Sequence, residues 1–243
     1  MIPRRDDYFI AGHSVPPLAS GLTPLGTFRV STTCPRIAIT NKLPHRFITT
    51  HNRWHCVFHD PYERINFWTH AIPGLAFLCL GIVNALLPQQ AMALFSLCAA
   101  ATHCFSALTH VYPDSHSIEK LDHIGITATI IGTPISSLMA QEHGHLPFEL
   151  KLISLWLVGA AFLKPTPRVV GFVVGATAMV VLYGSMLLSY VFAIELALYL
   201  GGALFFLRND GHERGIGLSD HHILHYFVTV ASVLHLWYLQ QQQ

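Results

Sequence analysis

From Asn66 onward the chain alternates long apolar runs with short polar breaks, each run close to the ~20 residues that carry a helix across a ~30 Å hydrocarbon core. These runs predict helices near residues 66–87, 91–112, 121–140, 148–163, 169–186, 188–207 and 221–239. The stretch Val169 to Leu207 decides the count. As one helix it would be ~58 Å long, about twice the core thickness, so it must fold back on itself. The turn is expected between Tyr183 and Tyr190, where Gly184, Ser185 and Ser189 interrupt the bulky residues. The fourth helix is short and carries Lys151 near its start. The pattern therefore reads as an all-α, seven-transmembrane helix bundle.

Composition supports a membrane setting. Of 243 residues, 52% are hydrophobic and only 11% charged, against roughly 25% charged in a soluble domain. The formal net charge is +1, which leaves no overall footprint for nucleic acid. The basic residues flanking the runs set an orientation. With the N-terminus in the cytoplasm, Arg46, Arg53, Arg64, Lys120, Lys164, Arg168, Arg208 and Arg214 all fall on that side and Lys151 alone falls outside. Seven crossings then leave the C-terminus on the outer side. The five cysteines contain no C-x-x-C pair, so neither a disulfide framework nor a thiolate metal site is indicated.

Three regions follow from this pattern: residues 1–60, a membrane domain over 61–239, and a short tail of 240–243. Pro16, Pro17, Gly21, Pro24 and Pro35 interrupt the first region, which reads as a disordered tail. Its basic and hydroxyl-rich composition also matches an organellar transit peptide, although no amphipathic Arg-bearing helix is evident.

Histidine is the anomalous residue, with 17 copies, many of them inside or beside apolar runs. An ionisable group there is costly unless it meets a cavity, a partner or a metal. Glu63, Asn66, Thr69 and His70 open helix one; Ser106 and His110 close helix two; Asp122 opens helix three; His221 and His225 open helix seven. Successive helices alternate in direction, so all four groups meet at one face, the cytoplasmic face by the charge bias. His221 and His225, four residues apart, present both imidazoles on one side of a helix, a spacing that suits one tetrahedral zinc. His110 ends at the same depth and supplies a third nitrogen, with Asp122 placed to bind a water in the fourth position or to orient an imidazole.

These residues fall in three segments: ERINFWTH (Glu63 to His70), SALTH followed by KLDHIGI (Ser106 to Ile126), and HHILHYFV (His221 to Val228). Together, over about residues 60–239, they resemble the progestin and adipoQ receptor family and the bacterial hemolysin III proteins. The resemblance implies a seven-helix fold with a cytoplasmic N-terminus and a Zn2+ ion held by His110, His221 and His225. It also implies that Asp122 contacts a water on the metal and that Ser106 lies nearby. The short interval between His110 and Asp122 is more like the hemolysin III branch than the adiponectin receptors. No eighth apolar segment follows residue 239, unlike the longer steroid-receptor members, and residues 1–60 carry no family motif.

Two functions are carried forward. The first is zinc-dependent hydrolysis of an amide or ester in a membrane lipid, with Asp122 as general base and Ser106 donating to a ligand or a developing oxyanion. The resembled superfamily includes ceramidases, so a ceramide-like sphingolipid amide is the expected substrate. The second is a receptor or membrane-lipid sensor in which zinc clips helices two, three and seven together; no residue pattern names a soluble protein ligand. Pore formation has no support from a ring of charges. Glu195 reads either as a proton-path residue or as a hydrogen-bonded carboxyl facing the bundle. Glu63 reads as a helix cap or a substrate-polarising group. His103 reads as a packed core residue, His222 as a non-ligand, and His123, His143, His145 and His235 as loop, interface or packing residues. Gly171 and Gly175 form an expected close-packing surface.

Overall fold

The computed structural model describes residues 54, 57–59, 61–112, 115–141, 147–187, 190–208 and 218–242. Among them run the helices α1 (Pro61–Leu86), α2 (Gln90–Val111), α3 (His116–Ala140), α4 (Phe148–Ala161), α5 (Pro165–Leu187), α6 (Tyr190–Arg208) and α7 (Asp220–Gln241). No strand is present among the described residues. The boundaries follow local chemistry. Ser115 caps α3 by accepting from the Ile118 amide at 3.4 Å, which starts the helix several residues before position 121. Asp122 consequently lies in the second turn of α3 rather than at its opening. At α7, Ser219 accepts from the His222 amide at 3.2 Å while His222 Nδ1 accepts from the Ser219 amide at 3.0 Å. This is a reciprocal capping box with histidine in the place usually taken by glutamate. The break between α5 and α6 falls at residues 188–189, which are outside the described residues, as is nearly all of 1–60 and the pair His143 and His145.

Among the described residues, four helices are long and apolar enough to cross a membrane: Tyr62–Leu86, Gln90–Val111, His116–Ala140 and Asp220–Gln241. Val170–Gly184 and Tyr190–Phe206 are shorter apolar helices. At 14 residues, α4 is the shortest. The outer surface carries Ile72, Leu75, Leu86, Leu155, Val181 and Leu204 exposed, while Asn66, Thr102, His103, Ser136 and Ser232 are buried. In water this distribution is inverted; with hydrocarbon outside, it buries the groups that lipid cannot solvate.

Consecutive helices pack as neighbours, with α1 along α2, α2 along α3, α4 along α5, and α6 along α7. Helix α7 also contacts α1, α2 and α3, which closes the bundle. Close approach depends on small residues. A Cβ on Gly125 of α3 would stand 2.7 Å from Thr102 Cα and 2.9 Å from the Ala101 oxygen of α2, so the two backbones meet there. Gly171 and Gly175 of α5 face Ala160 and Leu157 of α4, as the spacing predicts. Ahead of α1, Val57 is fully buried against Phe67, Ala107 and Val111.

Two ion pairs fix which helix ends share a face. Arg208, at the end of α6, donates to both Asp220 oxygens at 2.9 and 2.8 Å. Arg168, near the start of α5, lies 3.7 Å from Glu119 at the start of α3. At the opposite end, Gln141 donates to the Tyr238 hydroxyl at 3.1 Å.

Candidate metal centre

The start of α1, the end of α2 and the start of α7 converge at the face that carries the Arg208–Asp220 pair. One ligand nitrogen from each of His110, His221 and His225 lies within 4.8 Å of the others. The ring centroids are 4.5 Å apart for His221 and His225, 5.4 Å for His110 and His221, and 5.5 Å for His110 and His225. The i, i+4 spacing explains the first distance, because it places both rings on one side of α7. The other two require α2 to end at the same depth, and it does. His225 is buried, while His110 and His221 are partly accessible.

Both anchors of this cluster come from α1. His110 Nδ1 is 3.1 Å from Glu63 Oε2, so the carboxylate accepts the Nδ1 proton and leaves Nε2 as the free lone pair. His225 Nδ1 is 2.9 Å from Thr69 Oγ1. The Thr69 hydroxyl proton is engaged by the Ile65 carbonyl at 2.7 Å, so Thr69 accepts from His225 and again frees Nε2. Each contact fixes a tautomer and a ring orientation, as the outer shell of a histidine metal site does. The sequence reading of Glu63 as a cap or substrate polariser does not include this role, and Thr69 carried no assignment. A usable signal was present in the stripe Glu63, Asn66, His70, whose i, i+3, i+7 spacing turns all three toward one neighbour.

The remaining residues sort cleanly. Asp122 is hydrogen-bonded to Ser106 and lies beside His110. His70 packs against His225 with ring centroids 3.9 Å apart and the planes tilted by 45°, and its Nδ1 is buried without a hydrogen-bond partner. Both side-chain amide atoms of the fully buried Asn66 are also unpartnered. His222 has Nδ1 occupied by the cap and Nε2 3.2 Å from the Tyr62 carbonyl, so it is not a ligand. His103 spans Ala99 O at 2.9 Å and Thr229 Oγ1 at 3.1 Å, a hydrogen-bonded core residue. Of the readings loop, interface or packing, His235 takes the last, as a buried residue within the bundle. It is buried against Glu195, whose carboxyl faces the bundle.

The donor set fits zinc. Nitrogens about 2.0–2.1 Å from a tetrahedral ion lie ~3.4 Å from one another. Drawing the most distant pair in from the 4.8 Å limit moves each ring by less than ~1 Å. Three imidazole donors match the ligand count of catalytic rather than closed structural sites. Beside the cluster, between α1 and α7, runs a groove of about 530 Å³ lined by Arg64, Trp68, Thr69, Ile72, Tyr226 and Thr229. Thr69 belongs both to this groove and to the His225 anchor.

No protein-family model matches the chain. Over 100 aligned residues, covering 34% of this chain, it is 36% identical to the ADIPOR-like receptor IZH1 of Eremothecium gossypii. The alignment spans 32% of that relative's own length. With helices of membrane-spanning length and a polar interior, this likeness identifies the chain as an integral membrane protein partly similar to an ADIPOR-like receptor.

Proposed function

We propose that the chain is a seven-helix member of the progestin and adipoQ receptor and hemolysin III family that hydrolyses an amide in a membrane lipid, with the histidine face toward the cytoplasm. The observation that carries this reading is the convergence of His110, His221 and His225 beside Asp122, with two of the imidazoles oriented from α1. Membership rests on the motif resemblance and on the partial likeness to an ADIPOR-like receptor. The cytoplasmic placement rests on Arg64, Lys120, Arg168 and Arg208, which lie at the same end of the bundle as the site, Arg168 beside Glu119 of α3 and Arg208 paired with Asp220 of α7.

His110, His221 and His225 hold the zinc, whose contribution when bound is Lewis acidity toward a carbonyl and a lowered pKa for water. The α1–α7 groove admits an acyl chain from the bilayer side and brings its carbonyl linkage to Thr69 and the cluster. Asp122 takes the proton of the attacking water as general base, then returns it to the departing amine as the C–N bond breaks. Ser106 donates to the oxygen on which charge develops. A ceramide-like amide satisfies this scheme. Glu63 and Thr69 keep two rings in register throughout.

Metal analysis of detergent-purified protein, followed by incubation with a panel of lipid amides and esters, tests the proposal. Wild type should hold one zinc and release a fatty acid, while Asp122→Asn should hold zinc without turnover. Zinc-loaded wild type that leaves the whole panel intact sinks the hydrolase.

The name of the aligned relative favours a second reading, a signalling receptor or lipid sensor with zinc as a helix clip. His110→Ala separates the two. A clip predicts loss of the folded bundle, and a catalytic ion predicts a folded, inactive protein.

A further inference from the structure

Between α3, α6 and α7, on the side of the bundle away from the histidine cluster, a second polar centre is sealed from solvent and lipid. His235 Nδ1 is 2.9 Å from Glu195 Oε2, and His235 Nε2 is 3.0 Å from Ser136 Oγ. The three side chains come from three helices, and His235, Glu195 and Ser136 are 1%, 2% and 0% exposed. His235 lies ten residues beyond His225 on α7, or ~15 Å along the axis. Phe95 of α2 covers its ring at a centroid distance of 4.2 Å. The other titratable groups facing the pair are Tyr199, one turn along α6 from Glu195, and Tyr238, with its ring centroid 6.0 Å from that of His235.

An imidazole and a carboxyl are an expensive way to tie helices together inside a membrane, because neutral amides and hydroxyls make the same number of bonds without an ionisable group. A metal site does not account for them either. Both imidazole nitrogens are already engaged, so no lone pair is left for an ion.

The chain of bonds does, however, accommodate one additional proton. Ser136 Oγ has two acceptors at equal distance, His235 Nε2 and the Thr133 carbonyl, both at 3.0 Å. With Nε2 unprotonated, the hydroxyl donates to Nε2 while Nδ1–H donates to the Glu195 carboxylate. When a proton is added at Nε2, the hydroxyl turns to the Thr133 carbonyl and accepts Nε2–H, and the bond to Glu195 is unchanged. Every group stays satisfied in both states, and the net charge of the centre goes from −1 to zero. A hydroxyl rotation is the only rearrangement needed, which suits a tightly packed interior.

We propose that Glu195, His235 and Ser136 form a proton-binding site within the membrane interior, distinct from the histidine cluster, that takes up and releases a single proton. It shares no ligand nitrogen with His110, His221 or His225.

Nitrogen NMR of isotope-labelled histidine in the full chain, held in lipid nanodiscs, reads the ring directly, with the His235 signals identified by their loss in His235→Gln. Titration is followed from about pH 5 to about pH 9, the range over which imidazoles in proteins change charge. His235 Nε2 should pass reversibly between unprotonated and protonated forms. Glu195→Gln removes the compensating charge and should weaken proton uptake about tenfold to a thousandfold. If that variant does not fold, Ser136→Ala, which leaves the Glu195 contact intact but removes both the donor to Nε2 and the acceptor for Nε2–H, should move the titration of the ring. A ring that keeps one state across the range, or a titration that neither substitution moves, overturns the proposal and leaves a helix clamp.

Discussion

Glu63 on α1 and His110 on α2 meet at 3.1 Å, carboxylate oxygen to Nδ1, and this contact decides which nitrogen of His110 faces the cluster. The matching contact of Thr69 with His225 Nδ1, at 2.9 Å, makes α1 the helix that orients the site while contributing no nitrogen to it.

Glu63→Gln keeps an acceptor but loses the charge, and Thr69→Ala loses the acceptor altogether. Both should weaken zinc binding about 10- to 100-fold, the usual consequence of losing an outer-shell partner. Competition against a calibrated chelator measures this, with helicity by circular dichroism unchanged. Wild-type affinity in both variants would show that α1 does not orient the ligands.

Removing zinc from the proposed site should loosen the bundle, since His110 is on α2 and His221 and His225 are on α7. Zinc held at about a hundredfold above its dissociation constant adds ~2.7 kcal/mol to the folded state. Dialysis against a chelator should therefore lower the thermal unfolding midpoint in detergent, and added zinc should restore it. His221→Ala should abolish the zinc-dependent part of the shift.

Gly125 and Gly159 form a matched pair. A side chain at Gly125 meets the α2 backbone at under 3 Å, whereas nothing lies within 4 Å of a Cβ on Gly159. Gly125→Val should destabilise by about 1–3 kcal/mol through overpacking. Gly159→Ala should be neutral or stabilise by up to ~1 kcal/mol through helix propensity. Unfolding midpoints of the two variants, read side by side, provide the check.

Arg208→Ala leaves Asp220 buried without the two guanidinium bonds that join α6 to the start of α7. Because the Arg208 side chain is 59% exposed, water takes up part of the loss, and a cost of about 1–3 kcal/mol is expected. The same variant should reduce zinc retention, since His221 follows Asp220 directly. A stable variant with full zinc occupancy would separate the ion pair from the site.

Much of the helix map was legible along the chain. Runs of apolar residues of membrane-spanning length located α1 to α7 to within a few residues, except where Ser115 and the first turns of α1 and α3 extended helices into polar sequence. The approach of His221 to His225 was legible for the same local reason, because four residues on a helix return to the same side. His110 could be added from alternation of helix direction alone.

The partners of these residues were not legible. Glu63 pairs with a residue 47 positions away, Thr69 with one 156 away, and Glu195 with one 40 away. Nothing in local spacing distinguishes a carboxylate that caps a helix from one that receives an imidazole proton on a neighbouring helix. Hydrophobic periodicity thus settled which segments are helical and which end of each carries polar chemistry, because those properties depend on neighbours a few residues apart. The tautomer of each ring, the anchoring role of α1 and the enclosure of Glu195 with His235 were decided only when the helices packed. A hydrogen bond requires heavy atoms within about 3.5 Å, and only the packing of helices distant in sequence supplies that closeness.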